Sequence, residues 1–163
     1  MTLGTRAQLF QSRTFRTVRR PGLAADLDGA ADKNLYNVSG LVAVHYMFGV
    51  CTTLIGAGLA LPQIQFTPTI GAVQVPLSGA ALSIALDVAG SVYTWTGLLN
   101  GALTVGAALG MSDVNATSSW FGGFITLPAG IIQLTNAADA LAGVIDWYVM
   151  YLPQLAGSLI TAA

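Results

Sequence analysis

The run LVAVHYMFGVCTTLIGAGLALP, residues 41–62, decides the fold of this chain. It contains one His and no Asp, Glu, Lys or Arg. A stretch of about 20 apolar residues is long enough to cross a bilayer as a helix. The same stretch can instead form strands that are buried on both faces of a sheet. These two interpretations predict different classes of protein.

A period of two favours the strand interpretation. The residues expected on one face of the strand are Val42, Val44, Tyr46 and Phe48. Gly49 is expected to interrupt the strand, and residues 56–58 to form a turn or bulge. We therefore predict a strand with one face in the core and the other against a neighbouring subunit, where His45 would mark the contact.

The whole chain shares this low polarity. Of its 163 residues, 54% are hydrophobic and only 8% are charged, whereas an ordinary soluble domain has about 25% charged residues. The mean hydropathy is +0.68. Because so few charges cannot cover the surface of a free monomer, we expect lipid or other protein subunits to cover part of it.

The charges are segregated along the chain. Every Lys and Arg lies in the first 33 residues, and residues 34–163 carry four charged side chains, all of them Asp. We predict an extended basic arm over residues 1–35 and a nearly neutral domain over residues 36–163. The arm is either a solvated tail or a segment that orders on a subunit or a polyanion. Its candidate partner-binding residues are Arg13, Arg16, Arg19 and Arg20.

The domain reads as short strands between closely spaced Gly and Pro residues. Alternating segments cover residues 63–68, 70–75 and 83–88, and residues 87–97 are predicted to form a hairpin. Two short strands are expected on either side of Pro128, over residues 120–126 and 130–135. Residues 98–111 could form a strand pair or a helix. We predict an all-β fold, an antiparallel β-sandwich of the jelly-roll type.

The clearest late strand covers residues 143–152. The face expected in the core consists of Ile145, Trp147, Val149 and Tyr151. Asp146 then points outward or to a subunit contact. The apolar segment 155–163 is expected to pack on the domain or on a neighbour.

Residues for catalysis or metal binding are scarce. The chain has one His, one Cys and no Glu, which leaves no metal-ligand cluster and no nucleophile–base arrangement to assemble. We therefore expect no enzyme activity, no cofactor, no small-molecule substrate and no specific binding of nucleic acid. The candidate interface residues are His45, Trp95, Trp120 and Asp146.

Several segments resemble short β-rich virion proteins of tailed bacteriophages, the capsid decoration (cement) or minor head proteins. They are the strand 38–53, the stretch 68–75, DVAGSVYTW (87–95), LPAGIIQLTNAADA (127–140) and GVIDWYVMYLP (143–153). The resemblance implies a β-sandwich on the capsid exterior, a homo-oligomer that is often a trimer, and binding between major capsid subunits. This chain departs from a typical member in its apolarity and its basic arm.

Three functions follow as hypotheses. The first is a structural virion protein that decorates and stabilises a phage capsid. The second is a small integral membrane protein with two or three apolar spans near residues 41–62, 98–111 and 147–163. The third is a carbohydrate- or receptor-binding β-module that uses exposed Trp and Tyr rings.

Overall fold

The computed structural model describes residues 14–29, 31–58, 60–81, 83–95, 104–105, 124–136, 139–140 and 142–163. The strands within these ranges are β1 (Arg16–Arg20), β2 (Lys33–Ser39), β3 (Val42–Thr53), β4 (Pro62–Pro68), β5 (Val75–Pro76), β6 (Val92–Trp95), β7 (Thr104–Val105), β8 (Ile125–Leu127), β9 (Gly130–Asn136), β10 (Val144–Pro153) and β11 (Leu159–Ala162). One 3-10 turn covers Ala24–Leu27.

The strands form two antiparallel sheets. The first sheet has the order β1-β10-β3-β6-β7, and β8 pairs with β3 beside β6. The second sheet has the order β11-β2-β9-β4-β5. Of the described residues, 53% lie in strands and 3% in the 3-10 turn, so the all-β prediction is confirmed.

One hydrophobic core lies between the two sheets. The first sheet contributes Trp95 and Trp147, the second contributes Ile64 and Ile132, and all four are at most 1% exposed. This sandwich-like packing buries the apolar face of each sheet against the other. The two outer faces of the sandwich are therefore where a partner could bind.

Strand β10 has the facing that its alternation predicts. Ile145, Trp147, Val149 and Tyr151 are core residues, each at most 2% exposed. The strand is ten residues long and lies between β1 and β3. It therefore fixes both the core side and the outer side of the first sheet.

Strand β3 continues past Gly49 to Thr53, and its alternation is broken at His45. Val44 pairs with Tyr151 and Tyr46 with Met150, which leaves His45 as the extra residue of a β-bulge. The bulge shifts the alternation by one residue. Val44 is therefore in the core, whereas Tyr46 is on the outer face, and the single face predicted for them is wrong.

Gly49 continues β3 instead of interrupting it. It pairs with Trp147 on β10 and with Tyr93 on β6. A Cβ atom at this position would lie 2.7 Å from Ile145 Cγ2 and 2.9 Å from Trp147 Cζ3. The glycine is needed because the Trp147 ring occupies the space of its side chain.

Two predicted segments differ in the structure. Residues 70–74 form a turn and loop between β4 and β5, so only Val75 of that segment is in a strand. Residues 83–88 are not a strand, since Leu86 has a positive φ of 67°. Consequently β6 pairs with β3 and β7 and does not form the predicted hairpin with residues 87–88. Segment 98–111 lies outside the described residues except for β7.

Part of the segment predicted as an arm is built into the sandwich. Residues Arg16–Arg20 form the edge strand β1, which pairs with β10 from Arg16↔Tyr151 to Arg20↔Trp147. The boundary predicted between residues 35 and 36 falls inside β2. A buried ion pair between Arg20 and Asp26 holds the chain where it turns from β1 into the 3-10 turn.

Candidate interaction surface

The outer face of the first sheet is rich in aromatic and apolar side chains. We call it the aromatic face; it consists of Phe15, His45, Tyr46, Phe48, Val50, Val92, Phe124, Tyr148, Met150 and Leu152. None of these residues is fully buried. Their position follows from the alternation of β10 and from the bulge in β3.

The centre of the aromatic face is a cross-strand stack. Phe48 and Tyr148 are directly paired residues of β3 and β10. Their ring centroids are 4.7 Å apart and the rings are nearly parallel, at 7°. Tyr46 extends the stack, with its centroid 5.6 Å from that of Phe48. Such pairs stabilise a sheet and leave a firm apolar surface.

A second aromatic group lies at the bulge. The His45 ring is 5.4 Å from Phe15 and 5.0 Å from Phe124, between centroids. Phe15 and Phe124 stack at 6.0 Å and are each about half exposed. His45 Nδ1 is buried and has no hydrogen-bond partner among the described residues. The group joins the residue before β1 to the residue before β8 across the middle of the sheet.

An ion pair lies at one edge of the aromatic face. Arg19 on β1 donates to the Asp146 carboxylate at 2.6 Å, and the Gly22 N–H donates to the same carboxylate at 2.8 Å. Burial would raise the pKa of Asp146, but the Gly22 N–H and the Arg19 guanidinium outweigh it, so the pKa is lowered from its ordinary value. Asp146 is thus charged at neutral pH and neutralised within its own chain.

The outer face of the second sheet is different. We call it the polar face; it consists of Asp32, Asn34, Asn37, Ser39, Gln63, Gln65, Thr67, Gln74, Gln133, Thr135 and Thr161, with the apolar Ile131 and Leu159 among them. Gln133 accepts from the Thr67 hydroxyl at 2.6 Å and donates to Asn34 Oδ1 at 3.1 Å. Gln74 donates to Asp32 at 2.7 Å. These side chains bond one another across neighbouring strands.

The loop between β4 and β5 exposes apolar side chains at one end of the sandwich. Ile70 is 91% exposed and Val73 is 68% exposed. Between them Gly71 and Ala72 have positive φ values of 90° and 46°. Because the exposure of apolar side chains to water is unfavourable, this loop is a second candidate contact site.

The sequence predicts four interface residues, and the structure gives them different surroundings. His45 and Asp146 belong to the aromatic face and its edge. Trp95 is a core residue that is 1% exposed, and its indole N–H donates to the Leu77 carbonyl at 3.0 Å. Trp95 is therefore corrected from an interface candidate to a core residue, because its ring fills the space between the sheets. Trp120 lies outside the described residues.

The arginines of the predicted arm also have different surroundings. Arg20 is 5% exposed and pairs with Asp26, so it serves the domain itself and is not presented to a partner. Arg19 is bound to Asp146, although its side chain is more than half exposed. Arg16 is exposed at the start of β1. Arg13 lies outside the described residues.

The described residues contain no group of three or more His, Cys, Asp or Glu side chains that could hold a metal ion. Cys51 is buried in the core, and this burial raises the pKa of its thiol. Cys51 is thus held as a protonated core residue. Among the described helical residues, no helix has the length and apolar character to cross a membrane.

Local alternation in the sequence does not reveal the aromatic face as a unit. Tyr148 and Met150 were visible as the alternate residues of a strongly alternating strand. Their partner Phe48 was assigned to the same face as Val42 and Val44, because a one-residue bulge leaves no mark in a run that is apolar on both sides. The signal that could have found the face is the second aromatic stripe of the β10 segment.

Comparison with known proteins adds no relative. The chain matches no protein-family model, no curated protein sequence and no solved structure. The fold and the two outer faces are therefore the features of this chain that bear on its function.

Proposed function

We propose that the two sheets form a jelly roll. In that fold a long hairpin of eight strands is wrapped so that its strands pair in nested order across two sheets. The strand order supports this, since β1 pairs with β10, β2 with β9, β3 with β6 and β4 with β5. The hairpin pairs then join through β10–β3 and β9–β4, with β11 added beside β2.

We propose that the chain is a structural virion protein that decorates and stabilises a phage capsid. The nested strand order is the observation that carries the proposal, because jelly rolls are a common architecture of viral capsid domains. A fold alone does not set a function. Further support comes from the scarcity of charge and from an aromatic face suited to protein contact.

The proposed partners are copies of the chain itself, expected as a homotrimer, and the major capsid protein. The β4–β5 loop is the proposed capsid contact, because Ile70 and Val73 project from the end of the sandwich. The polar face is then left toward solvent. The proposed location is the capsid surface of the virion.

The test is copurification. The tagged chain should band with virions in a density gradient and should bind empty capsids at a fixed stoichiometry, read by quantitative mass spectrometry. Ile70→Asp should reduce capsid binding at least tenfold without lowering the melting temperature. Val88→Asp is the matched control, since Val88 is also exposed but lies outside the β4–β5 loop, beside the C-terminal end of β3.

Two outcomes would overturn the proposal. One is absence of the chain from purified virions of the phage that encodes it. The other is purification in a detergent-dependent membrane fraction. Capsid binding that survives Ile70→Asp would move the contact away from the β4–β5 loop.

A further inference from the structure

We infer that the aromatic face is the contact with a second copy of this chain, and that the polar face takes no part in it. This inference deepens the self-association part of the proposed function by naming its surface. It requires that the face be large enough, that it tolerate its own copy, and that its composition match a protein contact.

The size of the face fits a stable contact between copies. Strand β10 has ten residues, and the four strands β1, β10, β3 and β6 lie side by side. Strands β1 and β6 have only five and four residues and β3 has twelve. At about 3.3 Å per residue and 4.8 Å between strands, the outer face of the four strands covers roughly 500 Å². A standard protein interface buries about 800 Å² on each partner, so this face with its rim is of the required order.

The charge of the face permits contact between copies of the chain. Arg19 and Asp146 are the charged residues at its edge among the described residues, and they neutralise each other at 2.6 Å. Every copy presents the same face, so an uncompensated charge on it would repel the other copies, whichever parts of the face meet. This patch is neutral, so two copies can meet without repulsion, and a charged partner would gain no counter-charge from it.

The composition of the face is that of an interface centre. Aromatic residues and Met are enriched at such centres, whereas Lys, Glu and Asp are depleted. Phe48, Tyr148 and Met150 lie together at the middle, and the ion pair lies at the rim. The polar face lacks these features, because its amides already bond one another.

The first experiment measures mass. The wild-type chain at about 50 μM should give a multiple of its 16.8 kDa monomer mass by size exclusion with light scattering. Met150→Asp places a charge at the centre of the aromatic face and should shift the protein to the monomer mass, raising the dissociation constant at least a hundredfold. Gln65→Asp, on the polar face, is the matched control and should keep the wild-type mass.

The inference is overturned if the wild-type chain is monomeric, or if Met150→Asp keeps the wild-type mass while remaining folded by circular dichroism. Binding of a monomer to phosphatidylcholine vesicles in a flotation assay would also overturn it, since lipid would then cover the face.

A second experiment needs no variant and decides the case if Met150→Asp fails to fold. Hydroxyl-radical labelling of the wild-type chain should oxidise Tyr148 and Met150 at least threefold more slowly at 50 μM than after dilution to the monomer. Ile70 and Val73 should react at the same rate at both concentrations. Equal rates at Met150 would refute the contact.

These measurements use the isolated chain, without capsids. Their failure would remove the aromatic face as the contact between copies and would leave capsid binding to be judged by copurification. Conversely, an oligomer that never binds virions would refute the virion proposal and keep this contact.

Discussion

The two outer faces of the sandwich come from the same kind of antiparallel strand, yet they present opposite chemistry. On the aromatic face, Phe48 stacks on Tyr148 and two further Phe rings flank His45. On the polar face, Gln133 joins Thr67 and Asn34 through its two amide atoms. The strand backbone permits either surface, so side-chain choice alone makes the difference.

The two sheets differ in how their outer side chains interact with water. The polar side chains satisfy one another and still face water, which suits a surface that stays exposed. The aromatic side chains stack but keep area that water covers poorly. A chain with only 8% charged residues can thus have one outer face that is well hydrated and another that is apolar. Four changes test this division, from the largest expected effect to the smallest.

Breaking the buried ion pair should have the largest effect. Arg20 and Asp26 are each about 5% exposed, and Asp26 also accepts the Leu23 N–H at 2.8 Å. Arg20→Ala leaves a buried carboxylate without its partner, which typically costs about 3–5 kcal/mol. We expect that loss in the free energy of unfolding, measured by urea denaturation, together with weaker self-association, because β1 carries Phe15 and Arg19.

The control for this prediction lies on the same strand. Arg16 is exposed, so Arg16→Ala should change the free energy of unfolding by no more than about 0.5 kcal/mol. A loss below about 1 kcal/mol in Arg20→Ala would mean that water reaches Asp26 and that β1 does not depend on this pair.

Removing the centre of the polar face should have a smaller effect. Gln133→Ala deletes the hydrogen bonds to Thr67 at 2.6 Å and to Asn34 at 3.1 Å. Because these groups are partly exposed, water can replace part of the loss, and we expect destabilisation of about 1–2 kcal/mol. The oligomeric mass should not change. A variant that dissociates would show that the polar face also takes part in assembly.

The origin of the two faces also shows what the sequence could predict. The core side of β10 was predicted because Trp147 and its neighbours alternate without a break. The facing of β3 was not, since the bulge at His45 depends on its pairing with β10. The segment around Leu86 was predicted as a strand, but tertiary bonds from Leu86 to Gly56 and from Ile55 to Asp87 hold it as a turn.

The candidate site was predicted only in part for the same reason. His45 and Asp146 could be proposed one by one from their strands. Their setting required the register that brings Phe48 opposite Tyr148 and Arg19 beside Asp146. The segregation of charge predicts Arg20 in an arm over residues 1–35, and nothing in that pattern indicates its buried ion pair with Asp26. Such contacts depend on three-dimensional folding, which local alternation does not encode.

Acid should weaken the edge of the aromatic face. The pKa of Asp146 is lowered in the folded chain by the Gly22 N–H and by Arg19, against the effect of burial. Its contribution to stability is therefore present above the unfolded pKa of about 4 and is lost as the pH falls through the lower folded value. Asp146→Asn should cost about 1 kcal/mol at pH 7, because Arg19 is largely solvent-screened.

The measurement is urea denaturation of both proteins from pH 7 to pH 2.5. The difference in free energy of unfolding between wild type and Asp146→Asn should shrink as the pH falls below about 4. A difference that stays constant over this range would mean that the Asp146 carboxylate has an ordinary pKa and that the ion pair adds nothing.

The smallest expected effect is the coupling between the stacked rings. Phe48 and Tyr148 are paired across β3 and β10 with centroids 4.7 Å apart. In a double-mutant cycle with Phe48→Ala and Tyr148→Ala, the coupling in the monomer should be about 0.5–1 kcal/mol. In the oligomer it should be larger, because a second copy removes water from the same rings.

The equivalent cycle for Thr67 and Gln133 should give one value at all concentrations, since the polar face stays in water. A Phe48–Tyr148 coupling that does not change with protein concentration would mean that the stack serves the sheet alone, and the contrast between the faces would then be one of composition without a difference in role.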